Sequence, residues 1–208
     1  MTENQNHAGA TKRLEALSDG IFAIAATLLV LEIRIPDLGD GTTPRMMSAL
    51  EEILPSLVAF VLSFLNILIF WFNHDSVGKV ITRYDTKLTY LNLLFLLFIS
   101  LVPFTTAFIS RNPFNIVSVT VYGFLFLLMA LSASFAYYYL AFGSGLMHDK
   151  VSNKSRRKIW KRFIMGPIFY AVAIALGFIN VYIPIVIYLL VPFLFVVFPK
   201  IEFEEGGK

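Results

Sequence analysis

Arg13-Leu14-Glu15-Ala16-Leu17-Ser18-Asp19-Gly20, running straight into Ile21-Phe22-Ala23-Ile24-Ala25-Ala26-Thr27-Leu28-Leu29-Val30-Leu31, is the stretch on which the fold of this chain turns. From Leu17 to Ile35 only Ser18, Asp19, Gly20, Thr27, Glu32 and Arg34 interrupt an apolar run. As a helix that run is roughly 28 Å long, just enough to cross a hydrocarbon core of about 30 Å. Working outward, five more runs follow: Leu54 to Phe72, Leu88 to Ile109, Ile116 to Phe142, Phe163 to Val181 and Ile183 to Phe198. Pro55 falls at the first turn of the second run, where a missing N–H is harmless. Pro103 lies inside the third, and Pro184 and Pro192 lie inside the short sixth.

Composition agrees with this reading. Of 208 residues, 57% are hydrophobic and 15% charged, with a mean hydropathy of +0.73. Soluble domains average about 45–50% apolar and about 25% charged, so a soluble enzyme of this size would have to expose too much apolar surface. The absence of cysteine excludes a disulfide framework, a thiolate metal site and a cysteine nucleophile. The fold class expected is an all-α integral membrane protein with six transmembrane helices, read as one domain over residues 1–208.

Loop charge sets the orientation. With a cytoplasmic N-terminus, the inside segments hold Lys12, Arg13, Lys79, Arg83, Lys87, Lys150, Lys154, Arg156, Arg157, Lys158, Lys161, Arg162, Lys200 and Lys208. That is 14 of the 17 cations, against Arg34, Arg45 and Arg111 outside. The asymmetry follows the positive-inside rule and places both termini in the cytoplasm. The basic run from Lys150 to Arg162 is read as a cytoplasmic loop rather than a nucleic-acid patch, because a loop between two spans is expected to be basic there.

Polar groups in or beside hydrocarbon are costly and raise a functional hypothesis. Asp19 stands one or two residues into the first span, with Arg13 about one and a half turns earlier. Trp71, Asn73 and His74 end the second span, Asn92 opens the third, and Ser100, Thr105 and Thr106 bracket Pro103. The plainer readings are a helix-terminus anion for Asp19, an interfacial aromatic for Trp71 and a helix–helix hydrogen bond for Asn92. His7 and His148 lie in polar segments. No HExxH, Gly-rich phosphate loop or nucleophile elbow is present. Neither an enzyme nor a cofactor is therefore expected.

On a helical wheel at about 100° per residue, Leu28, Leu31 and Ile35 fall within about 40° of Ile24. Ala23, Ala26, Val30 and Asp19 cluster on another face, which is expected to be the packing seam; Thr27 lies between the two. The bulky stripe either touches lipid or faces a symmetry axis, where several copies would form a constriction that gates by dewetting.

These residues resemble the transmembrane protein 175 family, potassium-permeable channels that are lysosomal in animals and have short prokaryotic relatives. The matching pattern is Arg13, Leu17, Ser18, Asp19, then Gly20, Ala23, Ile24, Thr27, Leu28, Leu29, Val30 and Leu31. Further matches are Ser63-Phe64-Leu65, Trp71 with Asn73-His74, the run from Asn92 to Leu97, and Pro103-Phe104 with Thr106. Leu17 stands where the signature has Phe. The likeness covers the first three spans closely and the last three as hydropathy.

The resemblance implies a homotetramer of six-helix subunits in a prokaryotic cell membrane, with the first helices lining a central pore and no Thr-Val-Gly-Tyr-Gly filter. It places the constriction at Ile24, with Leu28 and Leu31 as outer layers, and associates Thr27 with the preference for potassium. Arg13, Ser18, Asp19, Trp71, His74 and Asn92 are expected to form a structural network. The implied partners are other copies of the chain, membrane lipid and monovalent cations, with potassium permeant and no nucleic acid. A secondary ion transporter, which would favour broken helices and a charged midplane site, and a non-conducting structural membrane protein are the rival readings.

Overall fold

The computed structural model describes residues 3–39 and 41–197, with side chains described at 9, 11–39 and 41–193. These residues form α1 (Glu3–Leu28) with a 3-10 turn at Leu29–Glu32, α2 (Thr43–Gly78), α3 (Thr86–Ser100) and α4 (Val102–Arg111). They continue as α5 (Ile116–Tyr138), ending in a π turn at Tyr139–Gly143, then α6 (Asn153–Gly177) and α7 (Tyr182–Val197). An isolated antiparallel bridge joins Ile81 to Met147.

The protein is all-helical and membrane-integral. Residues 11–32, 43–78, 86–111, 116–143 and 153–177 are each long and apolar enough to cross a membrane. The sixth run is a shorter case: α7 has 16 residues, about 24 Å of helix. Its expected end at Phe198 lies outside the described residues.

The third crossing is two helices. Pro103 has no N–H and its ring crowds the carbonyl four residues earlier, so the chain breaks at Leu101 (φ −88°, ψ −6°) and restarts with Pro103 in the first turn of α4. Hydroxyls occupy carbonyls on both sides of the break: Ser100 Oγ donates to Leu96 O at 3.0 Å, and Thr105 Oγ1 to Val102 O at 3.2 Å.

Two expectations about boundaries are corrected. Pro55 does not open its helix; α2 begins at Thr43, with Pro44 in the first turn, and carries Pro55 in its interior. The turns before Pro55 lie beyond the apolar run and are tied by an ion pair from Arg45 to Glu52, 2.7 Å. Likewise the basic run is mostly helix, not loop. Ser152 caps α6 by accepting from Ser155 N at 3.1 Å, so Lys154 to Arg162 form its first turns.

The helices run alternately up and down. At one end the 79–85 and 144–152 loops meet, with Thr82 N donating to Leu146 O at 2.8 Å and His148 N to Val80 O at 3.0 Å. At the other end Gly177 lies against Ile116 and Pro184. α5 is the central post, packed on α3, α4, α6 and α7, with Tyr122, Phe126 and Met129 fully buried.

Buried hydroxyls and amides bind this core. Thr106 Oγ1 lies 2.7 Å from Ser63 Oγ, which is 3.1 Å from the Tyr122 hydroxyl. Tyr170 donates to Asn66 Oδ1 at 2.8 Å, and Tyr188 donates to Val119 O at 3.2 Å. Such bonds supply part of the adhesion between helices in lipid, where apolar contact alone gives little preference.

Gly123 is required where α5 meets α7, because a Cβ there would collide with the ring and hydroxyl of buried Tyr188. Gly123→Ala is expected to displace Tyr188 from Val119 and to cost about 1–3 kcal/mol, the usual range for overpacking. The thermal unfolding midpoint of purified protein measures it, and an unchanged midpoint would contradict this contact.

Candidate functional site: the first helix and the cluster behind it

α1 packs against α2, α3 and α4 through Ser18, Phe22, Ala25, Ala26 and Leu29, all buried. This seam differs from the expected one. Ala23 and Val30 are exposed, because the aromatic Phe22 and branched Leu29 bury more apolar area than a small-residue face would. Phe22 sits between His74 and Phe95, its ring centre 5.7 Å and 5.8 Å from theirs.

The opposite face is uncovered within the subunit. Ile24 is 60% exposed, Leu28 43%, Leu31 69% and Ile35 74%. Thr27 shares this exposed side. Its Oγ1 lies 2.9 Å from both Ala23 O and Ile24 O, so its proton is held by the helix backbone. The lone pairs of that oxygen then face outward, free to accept from water or to meet a cation. Just beyond Leu28 the helix tightens into the 3-10 turn and ends at Ile33 in an extended conformation.

Behind this face, adjacent residues of α1 reach different helices. Asp19 accepts from Trp71 Nε1 of α2 at 2.9 Å. Ser18, about 100° round the helix, accepts from Asn92 Nδ2 of α3 at 3.1 Å and donates to Leu14 O at 2.9 Å. Asn92 Oδ1 in turn lies 2.8 Å from His74 Nε2 of α2. With the amide nitrogen of Asn92 committed to Ser18, its oxygen is the acceptor, so Nε2 of His74 carries the proton. The His74 ring lies nearly parallel to Phe95, 12° between planes. Three helices are thereby joined around one level of α1.

Of the six residues expected in this network, five are brought together as two linked sets, Asp19 with Trp71 and Ser18 with Asn92 and His74. Arg13 is not among them. It is exposed, and among the described residues it makes no ion pair with Asp19, whose carboxylate is turned toward α2. Leu17, at the position of the signature aromatic, is 47% exposed.

A small cavity of about 60 Å³ opens beneath this cluster, bordered by Asn73, His74, Tyr84, Asn92, Phe95 and Phe163 among others. At its loop end, burial, and then the Glu15 charge, push the Tyr84 phenol up to about 12, so it stays neutral. Burial acts against ionisation of nearby Asp85, but the Tyr139 hydroxyl, the Leu88 N–H and Lys87 together hold its carboxyl below the usual range. Asp85 thereby caps α3 as an anion. No group of three His, Asp or Glu that could hold a metal ion occurs among the described residues.

Residues 13–103 match the model of the family described as the endosomal/lysosomal potassium channel TMEM175. A potassium channel of Chamaesiphon minutus is 37% identical over 178 residues, 84% of this chain and 88% of that protein. One from Streptomyces collinus is 36% identical over 172 residues, 81% of this chain and 82% of that protein. The likeness therefore extends well past the first three spans. The fold superposes on the crystal structure of a lysosomal potassium-selective channel TMEM175 homolog from Chamaesiphon minutus with a TM-score of 0.81 and 33% identity, covering 91% of this chain and 97% of that one. The chain thus belongs to the TMEM175 family, a family of channels and not of enzymes.

Proposed function

We propose that this chain is one subunit of a potassium-permeable cation channel in a prokaryotic cell membrane, a single six-helix domain that assembles as a homotetramer. The observation that carries the proposal is the uncovered stripe of Ile24, Leu28 and Leu31 on a helix whose other face is fully packed. Four copies turned toward one axis would bury that stripe and ring a conduit with branched aliphatic groups. Hydrated ions would be stopped at Ile24, because shedding hydration among methyl groups is expensive. Separation or rotation of the four first helices would admit water and then potassium. The potassium-channel relatives support the choice of ion.

Selectivity would come from outward lone pairs at Thr27 rather than from a rigid carbonyl cage. The sequence holds no Thr-Val-Gly-Tyr-Gly segment. Its nearest string, Thr120-Val121-Tyr122-Gly123, lies inside α5, where backbone carbonyls are spent on helical bonds. Both termini are assigned to the cytoplasm, in keeping with the gathering of the 79–87 and 144–162 cations at the end of the bundle where Ser18 and His74 lie.

The test is potassium flux from vesicles containing the purified protein, with sodium and caesium controls, joined to single-channel recording. Potassium flux with unitary steps supports a channel, saturating flux without steps would make it a transporter, and no flux would leave a structural protein. Within the channel reading, Thr27→Val keeps the side-chain shape but removes the oxygen. It is expected to lower the potassium-to-sodium preference by about five-fold at most, as befits one hydrogen-bond-sized interaction of about 1 kcal/mol, while flux persists. Reversal potentials in mixed salts report the change, and an unaltered preference would release Thr27 from this role.

A further inference from the structure

From the first turns of α6 we infer that its exposed basic face is a binding surface for the headgroups of anionic phospholipids. Lys154, Arg157, Lys158 and Lys161 are all exposed and follow the spacing i, i+3, i+4, i+7, which stacks them within about 100° of one helix face. The opposite face of the same turns, at Ser155, Ile159 and Gly166, is buried in the bundle.

Among the described residues none of these four cations is paired with a carboxylate. Between Gly143 and Val181 the only acid is Asp149. The two ion pairs among the described residues, Arg45–Glu52 and Lys79–Asp75, lie elsewhere. Arg156, on a different side of the helix, shows what a structural cation looks like here. Its guanidinium donates to the carbonyls of Ala141, Val151 and His148 at 3.0, 3.2 and 3.4 Å.

Two further observations point to lipid. Trp160 borders the basic stripe and forms a cluster with Tyr138 and Phe142, ring centres 5.7 and 6.5 Å away. Tyr138 and Phe142 are themselves exposed. Aromatic side chains with one wet and one apolar end collect at headgroup depth. The length of α6, 25 residues, is about 38 Å, longer than a hydrocarbon core of about 30 Å. The excess is about five residues, so Lys154 and Arg157 overhang into the headgroup layer and the long side chains of Lys158 and Lys161 reach back toward it, where each phosphate would meet a row of ammonium and guanidinium donors. This inference is independent of whether the pore conducts.

Native mass spectrometry of the detergent-purified protein, offered equal phosphatidylglycerol and phosphatidylcholine, tests it. Preferential retention of phosphatidylglycerol is expected, weakened about five-fold for each cation replaced by glutamine and abolished in Lys154→Gln, Arg157→Gln, Lys158→Gln, Lys161→Gln. Replacing the three lysines by arginine should keep the preference, which separates lost charge from lost folding. Lys79→Gln, at a cation already paired with Asp75, should leave it unchanged. Equal retention of both lipids by the unaltered protein, or a preference that survives the four-fold substitution, would overturn the assignment. Glu202, Glu204 and Glu205 of the same chain are the competing occupant. Neutralising them to glutamine should leave retention unchanged, and a marked gain would show that the tail, not lipid, covers this face.

Discussion

Ile24→Asn is expected to raise the resting potassium flux of reconstituted protein by about thirty-fold. Both side chains carry four heavy atoms, so the change adds wetting to a modest gain in bore. In the proposed tetramer a single substitution places four amides in one ring. If each contributes about 0.5 kcal/mol, the low end for a net hydrogen bond, the barrier to a hydrated ion falls by about 2 kcal/mol, which is about thirty-fold in rate. Because Ile24 is 60% exposed within the subunit, the substitution disturbs no intrasubunit packing, and the folded yield should not change. Ile24→Val keeps the ring apolar and is expected to stay closed. Flux from potassium-loaded vesicles distinguishes the outcomes: equal flux from Ile24→Asn and unaltered protein would mean that Ile24 faces lipid and the constriction lies elsewhere.

That exposure was legible at Ile24 and Leu28 because a helix writes its faces into the sequence at a fixed angular step; Leu31 falls in the 3-10 turn and Ile35 lies past the helix end, so the run expected as helix to Ile35 stops short, although both side chains are exposed. The seam was less so. Hydropathy cannot rank Ala23 against Phe22; the structure buries Phe22 against His74 of α2 and Phe95 of α3, and Leu29 in the turn that packs on α2 and α4. Helix ends were misplaced for a related reason. Apolar runs mark hydrocarbon, whereas α2 and α6 continue past it, supported by the Arg45–Glu52 pair and by the Ser152 cap. Polar pairings across the core had no local signal at all. Ser63 with Tyr122 and Asn66 with Tyr170 are separated by 59 and 104 residues, and only the packed bundle brings them together. Asp19, Trp71, His74 and Asn92 could be singled out because each is expensive at its depth, yet which of them touch was settled only by the geometry of α1.

Asn92→Leu is expected to be the most damaging change in the cluster behind α1. Asn92 is 5% exposed and Ser18 1%, and the asparagine serves two partners at once, accepting from His74 and donating to Ser18. Ser18 keeps its bond to Leu14 O, so its loss is mild. The part-buried His74 is left with an N–H and no protein acceptor, a penalty of about 1–3 kcal/mol. Bonds between helices in lipid average less, about 0.6 kcal/mol, when the separated helices find other partners. The rings of Phe22 and Phe95 around His74 offer no acceptor, which places this case nearer the upper figure. Asp19→Ala removes one bond at an exposed carboxylate, and it should weaken assembly less than Asn92→Leu does while leaving ion preference intact. Thermal unfolding together with the yield of assembled protein ranks the two. If Ser18→Ala and Asn92→Leu combined cost clearly less than the sum of the singles, the residues act as one unit, as groups sharing a hydrogen-bond chain do. Strict additivity would mean that the two act separately, and an Asp19→Ala variant that assembles normally but loses its preference for potassium would place Asp19 in permeation rather than in holding α1 to its neighbours.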